Sequence, residues 1–81
     1  MALTRDVLIG FMKKELKINT DELEDSTLIF SAGIADSFML MSVLSFIEKQ
    51  QGVHVDFADV TLENLDSIER ILAFAGKLVQ A

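Results

Sequence analysis

An acidic residue and a hydroxyl, Asp36 and Ser37, stand directly before the most apolar stretch of the chain, in the segment GIADSFMLMS (33–42). A serine becomes a catalytic nucleophile when a histidine within hydrogen-bonding reach takes its proton. The one histidine, His54, follows the helix predicted to begin at Ser37, and a helix of about 15 residues is about 22 Å long. The flanking residues also lack the G-x-S-x-G turn of serine hydrolases. We therefore expect neither a catalytic site nor enzyme activity.

The same pair suits the start of a helix. Asp36 is a good N-cap and places Ser37 in the first turn, where backbone N–H groups lack partners and the helix dipole is positive. A negatively charged group attached to Ser37 is stabilised there. Because Ser37 follows a loop, we expect its hydroxyl to be open to solvent. Capping alone also explains an Asp-Ser pair, so these two residues leave both interpretations open.

Helical periodicity predicts three main helices. The first covers Thr4–Lys17, with a threonine cap and lysines in the last turn. The second covers Ser37–Gln51 and stops at Gly52, and the last begins near Asp66 or Ser67. With one further short helix, the fold class is all-α, a small four-helix bundle.

Two connections join these helices. The first, residues 18–36, is acidic and longer than most loops of compact domains, with one helical turn predicted near Asp21–Leu23. We expect Gly33 to take a backbone conformation that a Cβ would resist. Three aliphatic side chains should anchor this loop in the core: Leu28, Ile29 and Ile34. The second connection, residues 53–65, is predicted to hold the short fourth helix in DFADV (56–60).

The second helix has two faces when its residues are placed at 100° intervals. The predicted core face carries Leu40, Val43, Leu44 and Ile47, with Met39 and Phe46 beside it. The opposite face carries Ser42, Ser45, Glu48 and Lys49. Phe38 and Met41 fall among these polar residues, so we expect both side chains to be partly exposed.

Composition excludes several classes of function. The 81 residues suffice for a single domain, 1–81, and a net charge of −6 disfavours binding to nucleic acid. The chain has no cysteine, which fits a reducing, cytoplasmic compartment and removes thiolate metal sites. The acidic cluster within 21–25 lacks the spacing of a calcium loop, so we expect no metal site. Residues 26–47 are long enough to cross a bilayer, but a central Asp36 disfavours a membrane span.

The chain resembles the acyl carrier protein family over nearly its whole length. The resemblance lies in GIADSF at the start of the second helix, the long acidic loop before it, and ENLDSIERI (63–71) at the entry to the last helix. It implies that Ser37 carries a covalent 4′-phosphopantetheine arm, transferred from coenzyme A, with Asp36 as the neighbouring motif residue. Phe38 replaces the usual leucine and keeps the apolar character.

The resemblance also implies a function. Such a protein is a phosphoprotein that holds an acyl group as a thioester on the arm and presents it to enzymes of fatty acid, polyketide or related biosynthesis. Its partners would be a phosphopantetheinyl transferase, a loading enzyme and a downstream synthase or transferase, and we expect a monomer. Two alternatives stay open: a peptidyl or aminoacyl carrier of a nonribosomal-peptide-like pathway, and a carrier-like interaction module without the arm.

The second helix departs from fatty-acid-type carriers, whose second helix is rich in acids that meet basic enzymes. Here it holds one acid, Glu48, next to Lys49. This favours a specialised acyl carrier or a peptidyl or aminoacyl carrier. The predicted partner surface is formed by Phe38, Met41, Ser42 and Ser45.

Overall fold

A computed structural model describes residues 3–79, and within that range every regular element is helical. The helices are α1 (Arg5–Lys14), α2 (Ser37–Gln51), α3 (Leu62–Leu65) and α4 (Ile68–Leu78), with single 3-10 turns at Thr20–Glu22 and Phe57–Asp59. The all-α bundle of three main helices and one short helix is confirmed. No helix in the described range combines the length and apolarity that crossing a membrane requires.

Helix α1 begins as predicted but ends three residues early, at Lys14 rather than Lys17. The Thr4 hydroxyl accepts the N–H of Val7, which confirms the N-cap. Lys17 adopts a left-handed backbone (φ 58°), so the chain turns back and the Ile18 N–H donates to the Met12 carbonyl at 3.0 Å. Because the helix stops early, the side chain of Ile18 is buried in the core. In a continued helix it would point in another direction.

Helix α2 has the bounds that the sequence predicts. Gly52 ends it in the left-handed conformation (φ 63°). The predicted core face is confirmed, with Val43, Leu44 and Ile47 buried and Leu40 half-buried. The rings of Phe11 and Phe46 stack at 4.0 Å between α1 and α2.

The short helix lies elsewhere than predicted. DFADV contains only a 3-10 turn, and the side chain of Phe57 is 81% exposed, so no apolar face holds a helix there. The short α-helix is α3, in the stretch predicted as loop, where Thr61 caps it and Leu65 is fully buried. Ser67 caps α4, and Asp66 takes a different role.

The first loop is anchored by fewer side chains than predicted. Ile29 is fully buried, but Leu28 and Ile34 are 40% and 41% exposed, so the prediction that they anchor the loop is wrong. The sequence here has no period that would tell the inward side chain from its neighbours. The left-handed Gly33 (φ 78°) is confirmed, and the helical turn forms one residue before the predicted position.

Candidate functional site

Ser37 is the first residue of α2, and it is exposed. Asp36 is in extended conformation, and its Oδ1 accepts the N–H of Met39 at 3.0 Å, so the predicted N-cap is confirmed. Within residues 3–79 the Ser37 hydroxyl makes no hydrogen bond. The arrangement presents a free hydroxyl at the positive end of a helix dipole.

His54 lies past the opposite end of α2, as the sequence predicts. Its side chain is 90% exposed, and its Nδ1 is 3.3 Å from Glu48 Oε2. The same Glu48 oxygen accepts the N–H of Val55 at 2.8 Å. The histidine therefore belongs to the loop after α2 and cannot activate Ser37 as a base.

The segment leading to Ser37 folds back on one carbonyl oxygen. The carbonyl of Ile29 accepts the N–H groups of Ile34 and Ala35 at 3.0 and 3.1 Å. The Gly33 N–H donates to the Phe30 carbonyl, and the left-handed backbone of Gly33 closes the turn. Ala35 is buried, which brings the backbone against the bundle immediately before Asp36.

This turn is held by a buried carboxylate that the sequence analysis assigned only as a possible helix cap. Asp66 is 1% exposed, and its Oδ1 accepts the N–H groups of Phe30 and Ser31 at 2.7 and 3.0 Å. Its Oδ2 accepts the hydroxyl proton of Ser31, and its carbonyl accepts the N–H of Ile29. Burial alone would raise the pKa of Asp66, but these hydrogen bonds, helped by the charge of Arg70, hold it below its usual range.

A second link ties the same loop to the ends of two helices. The carbonyl of Asp25 accepts the N–H of Glu69, in the first turn of α4, at 3.0 Å. The Arg5 guanidinium donates to both carboxylate oxygens of Asp25, with a shortest distance of 2.8 Å. This hydrogen bond lowers the pKa of Asp25 and raises that of Arg5. Since both side chains are exposed, solvent screens the pair and it adds little stability.

Next to Ser37 a groove of about 730 Å³ runs between α1 and α2. All four residues of the predicted partner surface line it: Phe38, Met41, Ser42 and Ser45. Phe38 is 83% exposed and Met41 49%, so their predicted exposure is confirmed. The stacked Phe11 and Phe46 also line the groove, as do the charged Glu15 and Lys49. The groove thus combines an apolar surface with a few polar groups.

The sequence did not predict the structural roles of two buried polar residues, Gln51 and Asp66. Gln51 accepts the N–H of Leu3 at 2.7 Å and donates to the Ala75 carbonyl at 2.9 Å, so it joins the N-terminal segment to α2 and α4. Gln51 follows Ile47 by four residues, which places it on the core face of α2. That spacing could have predicted its burial. The signal for Asp66 was weaker. Asp66 and Ser67 could each cap α4, and because only one residue can do so, the other was open to a different role.

Comparison with known proteins gives one match. The family model described as "phosphopantetheine attachment site" matches residues 6–75. No significant similarity to a curated protein was found, and none to a solved structure.

Proposed function

Because the chain belongs to the family of domains to which 4′-phosphopantetheine is covalently attached, we propose that Ser37 is the attachment residue. The observation that carries this proposal is the exposed Ser37 hydroxyl on the first residue of α2, directly after the Asp36 cap. The residues present fit such a group. The N–H groups of Ser37 and Phe38 have no partner within residues 3–79. Unpaired N–H groups in the first turn of a helix favour a negative charge such as that of a phosphodiester.

The chain contributes position rather than catalysis to the attachment. In the transfer, the Ser37 Oγ would form a bond to the phosphorus of coenzyme A that bears the pantetheine. The bond from that phosphorus to the bridging oxygen would break, and the nucleotide would leave with the other phosphate. The proton of the Ser37 hydroxyl would pass to a base of the transferase, because within residues 3–79 the Asp36 carboxylate is bonded to the Met39 N–H and His54 lies past the opposite end of α2. Asp36 keeps the first turn of α2 ordered by its bond to Met39.

The protein is a phosphopantetheine-bearing carrier. The thiol at the end of the arm would hold cargo as a thioester. We place it in specialised acyl or polyketide biosynthesis, as a monomeric cytoplasmic carrier without catalytic activity of its own. The support is the low charge of α2, where Glu48 is the one acid and is bonded to the Val55 N–H. A peptidyl or aminoacyl carrier is the second candidate, since the same surface fits partners with little positive charge.

A carrier must be bound by the enzymes that load and unload it. We assign this contact to the groove beside Ser37, and to Phe38 and Met41 in particular. An exposed aromatic ring and a flexible thioether form a small apolar contact that can desolvate on binding. Ser42 and Ser45 add hydroxyl groups, although the Ser42 hydroxyl already donates to the Phe38 carbonyl at 3.2 Å.

Mass spectrometry tests the attachment. Incubation with coenzyme A and a broad-specificity phosphopantetheinyl transferase should add the mass of one arm, and Ser37→Ala should abolish the addition. Ser26→Ala, at an exposed serine in the first loop and outside the groove, is the control and should be modified normally. Modification that persists in Ser37→Ala would overturn the assignment. A parent protein that is never modified would favour the interaction module without the arm.

A further inference from the structure

The segment that presents Ser37 has little apolar surface of its own to hold it. Within residues 30–36, Ala35 is the one buried side chain, and Phe30 is half-buried. Ile34 is 41% exposed, and Ser31, Ala32 and Gly33 are small. Ile29, at the start of the turn, is fully buried, but beyond it hydrophobic burial fixes the segment weakly. The segment must nevertheless set the position of the α2 N-terminus.

Hydrogen bonds hold this segment instead, and those that join residues 29–35 to another part of the described chain all end on Asp66. The carboxylate accepts from the Phe30 N–H, the Ser31 N–H and the Ser31 hydroxyl, and the Asp66 carbonyl accepts from Ile29. The carbonyl of Ile29 in turn accepts the N–H groups of Ile34 and Ala35. A continuous chain of contacts thus runs from the start of α4 to the residue before Asp36.

We propose that Asp66 is a positioning residue for the modification of Ser37, acting through Ser31 and the turn at 29–35. This inference rests on the proposed attachment at Ser37. The carboxylate selects the one loop conformation in which Asp36 caps α2 and Ser37 faces outward at its end. Without it, the backbone N–H groups of Phe30 and Ser31 lose their acceptor and turn toward water, and the segment samples other conformations.

The proposal predicts a specific kinetic signature. A transferase that recognises the ordered loop binds only the fraction of molecules in that conformation, so its apparent affinity falls by that fraction. Asp66→Ala should therefore raise the KM for the carrier by about tenfold while kcat stays within about twofold of the parent. Ser31→Ala removes one of the contacts and should give a smaller rise in KM.

Two variants separate positioning from general loss of stability. Gln51→Ala removes another buried, hydrogen-bonded side chain that does not contact the loop, and it should leave the KM unchanged at temperatures where it is folded. Asp66→Asn, in contrast to Asp66→Ala, should keep a KM near that of the parent. Its amide oxygen can still accept from the two N–H groups, and its NH2 group can donate to the Ser31 hydroxyl.

Amide hydrogen exchange on the unmodified protein gives a readout that does not depend on the transferase. The N–H groups of Ile34 and Ala35 should exchange faster in Asp66→Ala and in Ser31→Ala than in Gln51→Ala. If Asp66→Ala fails to fold, Ser31→Ala carries the same test. Equal KM values and equal exchange at Ile34 and Ala35 in the Ser31, Asp66 and Gln51 variants would overturn the proposal. A parent that exchanges slowly at these amides but is never modified would instead refute the attachment.

Discussion

Phe38 and Met41 show how two side chains on the polar face of a helix can carry a function without stabilising the fold. Both are largely exposed, and the core of α2 lies on its other side. Exposed apolar residues that occur singly need no explanation, but these two line one groove beside the proposed attachment residue. Their position therefore favours recognition over packing.

Truncating either side chain should slow transfer from the loaded carrier with little change in stability. We expect Phe38→Ala and Met41→Ala each to lower the kcat/KM of the enzyme that acts on the carrier by about tenfold, equivalent to about 1.4 kcal/mol of lost contact. Melting temperatures should stay close to the parent value. Phe57→Ala is the control, because Phe57 is equally exposed but lies outside the groove. Equal effects at Phe38 and Phe57 would argue against a specific contact.

Helix α2 has to serve two purposes, because its first turn presents the attachment residue while its inner face fills the core. Ile47 is fully buried, and Phe46 next to it stacks on Phe11 of α1. Gln51 in the last turn bonds to α4. These contacts hold α2 in the bundle, whereas the turn at 29–35 sets the conformation of the segment that leads to Ser37.

Removing part of that inner face should destabilise the whole domain. Ile47→Ala should lower the free energy of unfolding by about 2–5 kcal/mol, through lost burial and the cavity left behind. Small domains have about 5–15 kcal/mol in total, so the loss is a large share. Urea denaturation measures it, with Ile34→Ala, a half-exposed isoleucine in the loop, as the matched control. Similar midpoints for the two variants would show that the core face is assigned wrongly.

The molecule as a whole is acidic, but its charge is unevenly distributed. The net charge is −6, and α2 contributes almost none of it. The acids lie mainly in the two connections, at Asp21, Glu22, Glu24, Asp25, Asp56, Asp59 and Glu63. Long-range attraction to a partner would therefore come from the loops rather than from the proposed contact surface.

Salt should consequently have only a modest effect on transfer. Raising the ionic strength from about 0.01 to 0.15 M shortens the screening length from about 30 to about 8 Å, which removes steering by distant charges. We expect the rate to fall by less than about threefold, because the contact at Phe38 and Met41 is apolar. A steep fall with salt, together with no effect of Phe38→Ala, would show that docking occurs through the acidic loops.

Acid should unfold the protein partly through Asp66. Since its pKa is lower in the folded than in the unfolded state, the folded state binds fewer protons. The stabilisation is complete above the unfolded value of about 3.9 and is lost as the pH falls through the lower, folded value. Asp66→Asn should therefore flatten the decline in unfolding free energy below about pH 4. Asp25→Asn, at the exposed pair with Arg5, should flatten it much less.

Local interactions allowed the sequence alone to predict α2, from its aspartate cap to its left-handed glycine, and to predict which of its faces is buried. Caps, glycine conformation and helical periodicity depend on residues within a few positions of one another. They can therefore be predicted from the amino-acid sequence. The exposure of Ser37, Phe38 and Met41 follows from the same information. The family resemblance supplied the expected arm.

Contacts between distant parts of the chain decided the rest. Lys17 turns left-handed because Ile18 is buried after it, and the short helix forms at Leu62–Leu65 because Leu65 finds space in the core. Asp66 and Ser67 are equivalent caps by local chemistry. Only the folded structure brings Ser31 to Asp66, and that contact makes one residue a cap and the other the support of the loop before Ser37.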